Sequence, residues 1–150
     1  MSLARDIAVM RRAGVLGEFD DEELRLLAFG AEHRAAKARD VLWHAGTPAD
    51  GASLVLQGQL ELCLAGGEPL ERVAAVGTLL DEPALFVDAV HRFTATALVS
   101  TEVLFVPRNA VRRVLSEFPA AAERIHAVLS DRTATLLAEL DRVAERLPRG

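Results

Sequence analysis

The sequence predicts a mainly β domain with helices at both ends. Helical spacing of apolar residues near the start gives way to short apolar runs separated by glycine, and helical spacing returns after Pro107. Many short strands at near-regular intervals are typical of an antiparallel roll, sandwich or barrel. With 150 residues, 51% of them hydrophobic, the chain is the size of one domain. We therefore expect a single domain over 1–150, divided into N-terminal helices (1–34), a β region (35–107) and C-terminal helices (108–147).

Two helices are predicted before the strands. Leu3, Ile7 and Met10 recur at three- to four-residue intervals, which indicates the first helix. Asp20 or Asp21 begins the second, because an aspartate side chain accepts hydrogen bonds from the free N–H groups of a first turn.

Short apolar runs in the middle of the chain predict strands. Glycines that allow tight turns separate these runs, for example Gly46, Gly58 and Gly77. The runs are 41–44, 53–56, 60–64 and 73–76.

The last part of the chain predicts a short helix over 108–118 and a long one from Pro119 to about Leu147. Apolar residues of the long helix lie mostly three, four or seven apart among charged residues, which indicates a narrow seam. Because so long a helix extends past a small β domain, we expect the seam to pair with a second copy; packing on its own domain is the alternative. The seam residues are Ile125, Leu129, Leu136, Leu140, Val143 and Leu147.

Composition disfavours several functional classes. A net charge of -5 argues against a nucleic-acid-binding domain, which needs clustered basic residues. The single cysteine, Cys63, cannot form an intramolecular disulfide. No apolar run reaches the ~18 residues of a membrane span, and the start does not resemble a secretory signal. We therefore expect a soluble, cytoplasmic protein without membrane association.

Three segments together resemble one known family. The first is 40–50 with the strand 54–62, the second is Val76-Gly-Thr-Leu-Leu-Asp-Glu-Pro-Ala-Leu-Phe86, and the third is 91–98 with the strand 101–106. They resemble the cyclic-nucleotide-binding domain family, in particular a catabolite-activator-like sensor domain standing alone. The resemblance extends from about Phe19 to Leu137. It implies an antiparallel, jelly-roll-like β-roll with N-terminal helices and a long C-terminal helix.

The resemblance also implies a function and a set of site residues. The family's members are regulatory rather than enzymatic, so we expect a sensor that binds cAMP, cGMP or a related small anion and signals through its C-terminal helix or a homodimer. By resemblance Glu82 contacts the ribose, and the N–H groups around Ala84 and Leu85 face the phosphate, since a helix N-terminus attracts anions. The implied phosphate and ribose residues are Glu82, Pro83, Ala84, Leu85, His91, Arg92 and Thr94. The implied base-side residues are Thr133, Leu136 and Leu137.

Two residues depart from the family's pattern. Asp81 stands where the family has glycine, and His91 stands where it has the phosphate-binding arginine. Arg92 follows one residue later, and a shift of one residue on a strand reverses the side chain's direction unless a bulge absorbs it. Alternatively, a protonated His91 meets the anion, which would strengthen binding below about pH 6.5.

The sequence leaves other functions open. A ligand-free protein-interaction module that keeps only the fold is the main alternative, and the sequence has no motif that identifies its protein partner. A cupin-like metal enzyme is a further alternative, but the four histidines include no His-x-His pair, so we expect no metal site and no enzymatic activity. The family's DNA-binding members carry a helix-turn-helix after the long helix, whereas this sequence stops at Gly150; we therefore expect no DNA binding.

Overall fold

The computed structural model describes residues 2–66 and 69–146. Helices lie at both ends and strands lie between them. The helices are α1 (Leu3–Met10), α2 (Asp21–Phe29), α3 (Arg108–Glu117) and α4 (Pro119–Arg146), and two short 3-10 helices span Gly14–Glu18 and Glu82–Leu85. The strands are β1 (Glu32–Ala36), β2 (Val41–Trp43), β3 (Pro48–Ala49), β4 (Gly51–Gln57), β5 (Leu60–Cys63), β6 (Pro69–Ala74), β7 (Leu79–Leu80), β8 (Ala89–Val90), β9 (Thr94–Ala97) and β10 (Thr101–Pro107).

The described strands form two antiparallel sheets and a small ribbon. One sheet has the order β1-β10-β4-β7, the other has the order β2-β9-β5-β6, and β3 pairs with β8. The predicted fold class, antiparallel β with N-terminal helices and a long C-terminal helix, is confirmed. The first strand begins at Glu32, three residues before the expected boundary at 35.

Strands β4 and β10 are buried on both faces, which explains their continuous apolar runs. Leu54 and Leu104 pack against the helices, whereas Val55 and Val103 point into the roll between the two sheets. The paired strands approach so closely that a Cβ on Gly51 would lie 2.1 Å from the carbonyl oxygen of Val106. A residue without a side chain is therefore required at this position.

The N-terminal helices are held by polar contacts as well as by burial. Asp20, one of the two aspartates that the sequence offers as the cap, caps α2 in a capping box with Glu23. The Glu23 carboxylate is buried and is paired with Arg124 of α4. The start of α2 is thus joined to the long helix.

His33 joins three elements of the fold. Its Nδ1 lies 2.8 Å from Glu102 Oε1 on β10, and its Nε2 lies 2.8 Å from Asp6 Oδ2 on α1. The hydrogen bond to Glu102, supported by Asp6, raises the pKa of His33 above its ordinary value although partial burial acts in the opposite direction.

The long helix α4 leaves its own domain halfway along its length. It has 28 residues and is therefore about 42 Å long. Ile125 is buried in the domain core and Leu129 packs against that core, but residues 131–145 are all exposed. The predicted seam thus has a half that packs on its own domain and an exposed half, namely Leu136, Leu140 and Val143. Leu147 lies outside the described residues.

No helix within residues 2–66 and 69–146 is both long and apolar enough to cross a bilayer.

Candidate functional site

A cavity of about 440 Å³, here called the roll cavity, lies between β2, β5 and the segment from β7 to β8. Its volume is in the range of small-molecule sites. Apart from three charged side chains, Asp81, Glu82 and Arg92, its walls are apolar. The lining residues are Trp43, Leu62, Leu79, Leu80, Asp81, Glu82, Pro83, Ala84, Ala89, Val90, Arg92 and Phe93.

The short helix Glu82–Leu85, here called the cassette helix, forms one wall of the cavity. Pro83 lies in its first turn, and Ala84 and Leu85 are fully buried, so this wall is fixed by packing. The N–H of Ala84 donates to the carbonyl of Asp81 at 2.9 Å. This N–H, which the family resemblance directs at a phosphate, is therefore already used inside the protein.

Arg108, which the sequence analysis did not select, holds the cassette helix in place. Its Nε donates to the Ala84 carbonyl at 2.9 Å, and its guanidinium also donates to the carbonyl of Ala49 and to Asp88, each at 2.8 Å. The signal was present in the sequence, because a basic residue in the first turn of a helix opposes the helix dipole and needs another reason to be there.

The two departures from the family pattern lie together. Asp81 Oδ2 is 2.7 Å from His91 Nδ1, and the two side chains are only 13% and 12% exposed. The indole of Trp43 stacks on the imidazole, with ring centroids 5.0 Å apart. Asp81 has φ 64° and ψ 37°, a left-handed conformation that favours glycine, and this conformation accompanies its contact with His91. The aspartate and the histidine thus satisfy each other.

Arg92 lines the roll cavity, whereas His91 does not. Residues 91–93 lie between β8 and β9 and belong to neither strand, so strict side-chain alternation does not apply to Arg92. The Arg92 side chain is exposed and its Cζ lies 5.4 Å from the centre of the Phe93 ring. Thr94 lies outside the cavity wall, and its hydroxyl accepts a hydrogen bond from Ala45 N at 2.9 Å.

Glu82 connects the roll cavity to the helices. One carboxylate oxygen accepts a hydrogen bond from the N–H of Val15 at 3.2 Å, and the other is paired with Arg132 of α4. Gly14 leaves the room for this arrangement, since a Cβ there would lie 2.2 Å from Glu82 Oε2. Sequence reasoning identified Glu82 but missed Val15 and Arg132, because both are far from it along the chain.

The expected base-side residues lie away from the cavity wall. The Thr133 hydroxyl donates a hydrogen bond to the Leu129 carbonyl of the same helix, at 2.9 Å. Leu136 and Leu137 are each 56% exposed on α4. In this arrangement the three residues face solvent.

The charged side chains form no metal-ligand cluster in the part of the chain that the structure describes: no three His, Cys, Asp or Glu side chains there gather around one point.

Comparison with known proteins places these features in a family. The family model for the cyclic nucleotide-binding domain matches residues 33–118. No curated protein sequence matches the chain significantly. A cyclic nucleotide-binding-like protein from Brucella abortus is 34% identical, with 74% of this chain and 97% of that chain covered and a TM-score of 0.68.

Two further solved structures share the fold at lower identity. The N-terminal domain of a transcriptional regulator from Streptomyces coelicolor is 23% identical, with 88% of this chain and 94% of that chain covered and a TM-score of 0.79. The regulatory domain of Toxoplasma gondii PKA, solved with cAMP, is 19% identical, with 81% of this chain and 46% of that chain covered and a TM-score of 0.69. The extent of the family match and the identity to the Brucella protein lead to one conclusion: this chain belongs to the cyclic nucleotide-binding domain family.

Proposed function

We propose that this domain is a non-enzymatic sensor that binds a small molecule in the roll cavity and transmits occupancy to α4. The single observation that carries the proposal is the position of Glu82. It lines the cavity and at the same time pairs with Arg132 of α4. A ligand that hydrogen-bonds to Glu82 therefore competes with the contact that holds the helix.

The energetics favour such a response. The Arg132 side chain is 50% exposed, and an ion pair with one partner in solvent contributes only ~0–1 kcal/mol. Beyond Ser130 the helix has no buried residue up to position 145. A ligand shifts an equilibrium by its difference in affinity for the two states. Because few contacts hold this part of the helix, a small difference in ligand affinity between the two states is sufficient to shift its position.

Family membership suggests cAMP, cGMP or a related small anion as the first compounds to test. The relative from Toxoplasma gondii was solved with cAMP. Arg92 is the exposed cation on the wall of the roll cavity that supports this suggestion. The expected contacts are Glu82 for a ribose hydroxyl and Arg92 for a phosphate.

The output is proposed to be a change in a homodimer formed through α4. Leu136, Leu140 and Val143 are exposed to 56%, 54% and 54%, and they follow one another at intervals of four and three residues. That spacing places them along one side of the helix, as in a two-helix seam. An exposed apolar stripe of this kind favours a partner helix over solvent.

A ligand-free interaction module is the second candidate. The observation that favours it is the contact between Asp81 and His91, which satisfies both side chains without any bound molecule. It differs from the first candidate in one measurable respect, because its α4 would not respond to compounds that enter the cavity.

Two measurements test the proposal. Isothermal titration with cAMP and cGMP at pH 7 and pH 5.5 tests the family ligands, with Arg92→Ala as the variant expected to weaken anion binding. Hydrogen exchange of residues 130–146 tests the output. Glu82→Gln and Arg132→Gln should each speed this exchange, and the double variant should add little, since both remove the same contact.

Arg142→Gln serves as the matched control, because it removes a charge from the exposed part of the same helix without touching Glu82. Exchange in α4 that is the same in native protein and in both variants would remove the proposed link between cavity and helix.

A further inference from the structure

The charges around the roll cavity do not suit an anion. An anion site needs free N–H donors and an arginine. Here the N–H of Ala84 donates to the carbonyl of Asp81, and Asp81, an acidic residue, is itself part of the lining. The residue in the arginine's place, His91, is bound to Asp81 and lies outside the lining. Among the described residues that line the cavity, Arg92 alone offers positive charge, and its exposure to water weakens its attraction for an anion.

A cation is not favoured either. Both carboxylates of the wall already have partners, since Asp81 is bound to His91 and Glu82 is paired with Arg132. Arg92 is the charged lining residue that forms no ion pair with a described residue. Its positive charge repels a cation.

The remaining surface of the cavity is apolar and partly aromatic. Trp43 and Phe93 contribute flat rings, and leucine, alanine and valine side chains complete the walls. Among them Asp81 uses Oδ2 for His91, and its other carboxylate oxygen, to which no described residue donates, is a hydrogen-bond acceptor for a ligand. We infer that the roll cavity takes an uncharged, flat, largely apolar molecule that carries one N–H or O–H donor for Asp81. This inference rests on the proposed sensor function, in which occupancy of the cavity acts on Glu82, the neighbour of Asp81, but it replaces the anion that family membership suggests with an uncharged ligand.

The single tryptophan makes the test direct. Trp43 lines the cavity, so a bound fluorophore quenches its emission by energy transfer. Two probes with the same aromatic core differ in charge: N-phenyl-1-naphthylamine is uncharged and has one N–H donor, and 8-anilinonaphthalene-1-sulfonate adds a sulfonate. We expect the uncharged probe to bind the native protein at least tenfold more tightly than the sulfonate, with quenching of Trp43.

Three variants assign the binding to the cavity and to its charges. The combination Asp81→Gly with His91→Arg restores the family's residues, and it should bring the two probes to within threefold of each other and create affinity for cAMP. Ala89→Phe fills the cavity and should abolish quenching. Phe29→Ser removes exposed apolar surface from α2, outside the cavity, and should change nothing.

The outcomes separate this inference from the proposed function. Equal or tighter binding of the sulfonate or of cAMP to native protein overturns the inference, while a response of α4 would leave the sensor function intact. Binding of the uncharged probe as expected, with unchanged exchange in α4, supports the inference and overturns the sensor function. Absence of Trp43 quenching by either probe also overturns the inference. If the double variant does not fold, the two-probe comparison on the native protein decides alone.

Discussion

Substitutions of Asp81 separate the contribution of its hydrogen bond to His91 from that of its left-handed backbone conformation. The residue is held in the left-handed region at φ 64°, and its carboxylate binds His91 at 2.7 Å. Asp81→Gly removes the hydrogen bond and relieves the backbone. Asp81→Ala removes the hydrogen bond and adds about 1 kcal/mol of backbone strain, because alanine lacks the short polar side chain that helps aspartate to adopt the left-handed conformation. Asp81→Asn keeps a side chain that tolerates this conformation and still bonds to the imidazole.

The expected losses follow from these contacts. A hydrogen bond to a charged group contributes about 1.5–3 kcal/mol, and both partners here are mostly buried. Relief of the left-handed conformation returns about 1 kcal/mol in the glycine variant, and the greater freedom of glycine in the unfolded chain costs roughly as much. We expect losses of about 2 kcal/mol for Asp81→Gly, about 3 for Asp81→Ala and about 1 for Asp81→Asn.

Urea unfolding followed by far-ultraviolet circular dichroism measures these differences. Arg39 is the matched control, because it also has a positive φ, 79°, and is exposed. Arg39→Gly should leave the free energy of unfolding within about 0.5 kcal/mol of native. Two results would contradict these roles of Asp81: a loss for Asp81→Gly no larger than that for Arg39→Gly, or equal stability of the glycine and alanine variants at Asp81.

Three further predictions concern the supports of the site and the fold. Arg108→Ala should lower the free energy of unfolding by about 3 kcal/mol, because the carbonyls of Ala49 and Ala84 lose a donor, whereas Asp88→Ala should match native because that side chain is 98% exposed. Asp20→Ala should cost about 1 kcal/mol through loss of the cap on α2, and a thermal midpoint equal to native would contradict this. The contribution of His33, whose folded pKa is raised, should be complete below about pH 6.5, its ordinary value, and should be lost as the pH rises through the folded pKa. Urea titrations from pH 5.5 to pH 9 should therefore show a decline that His33→Asn abolishes.

The fold class and most of the helices and strands are readable from the amino-acid sequence. The cap at Asp20, the apolar spacing of α1 and the long helix from Pro119 are local signals, and local signals are readable from neighbouring residues. The segment around Glu82 was recognisable through its resemblance to the family. The protein's membership of the family rests on segments spread along residues 33–118.

Which of these residues contact one another depends on the tertiary fold. Asp81 and His91 are ten positions apart, and the sequence presented them as two separate departures from a pattern; the fold makes them a single contact. Glu82 was expected to face a ligand, yet its carboxylate is bound by Val15 and Arg132, which lie 67 and 50 positions away. Side-chain direction and long-range pairing depend on how the sheets close and where the helices dock, and neither is encoded in local spacing. The chemistry of the cavity is therefore a property of the folded arrangement, although every residue that forms it is visible in the sequence.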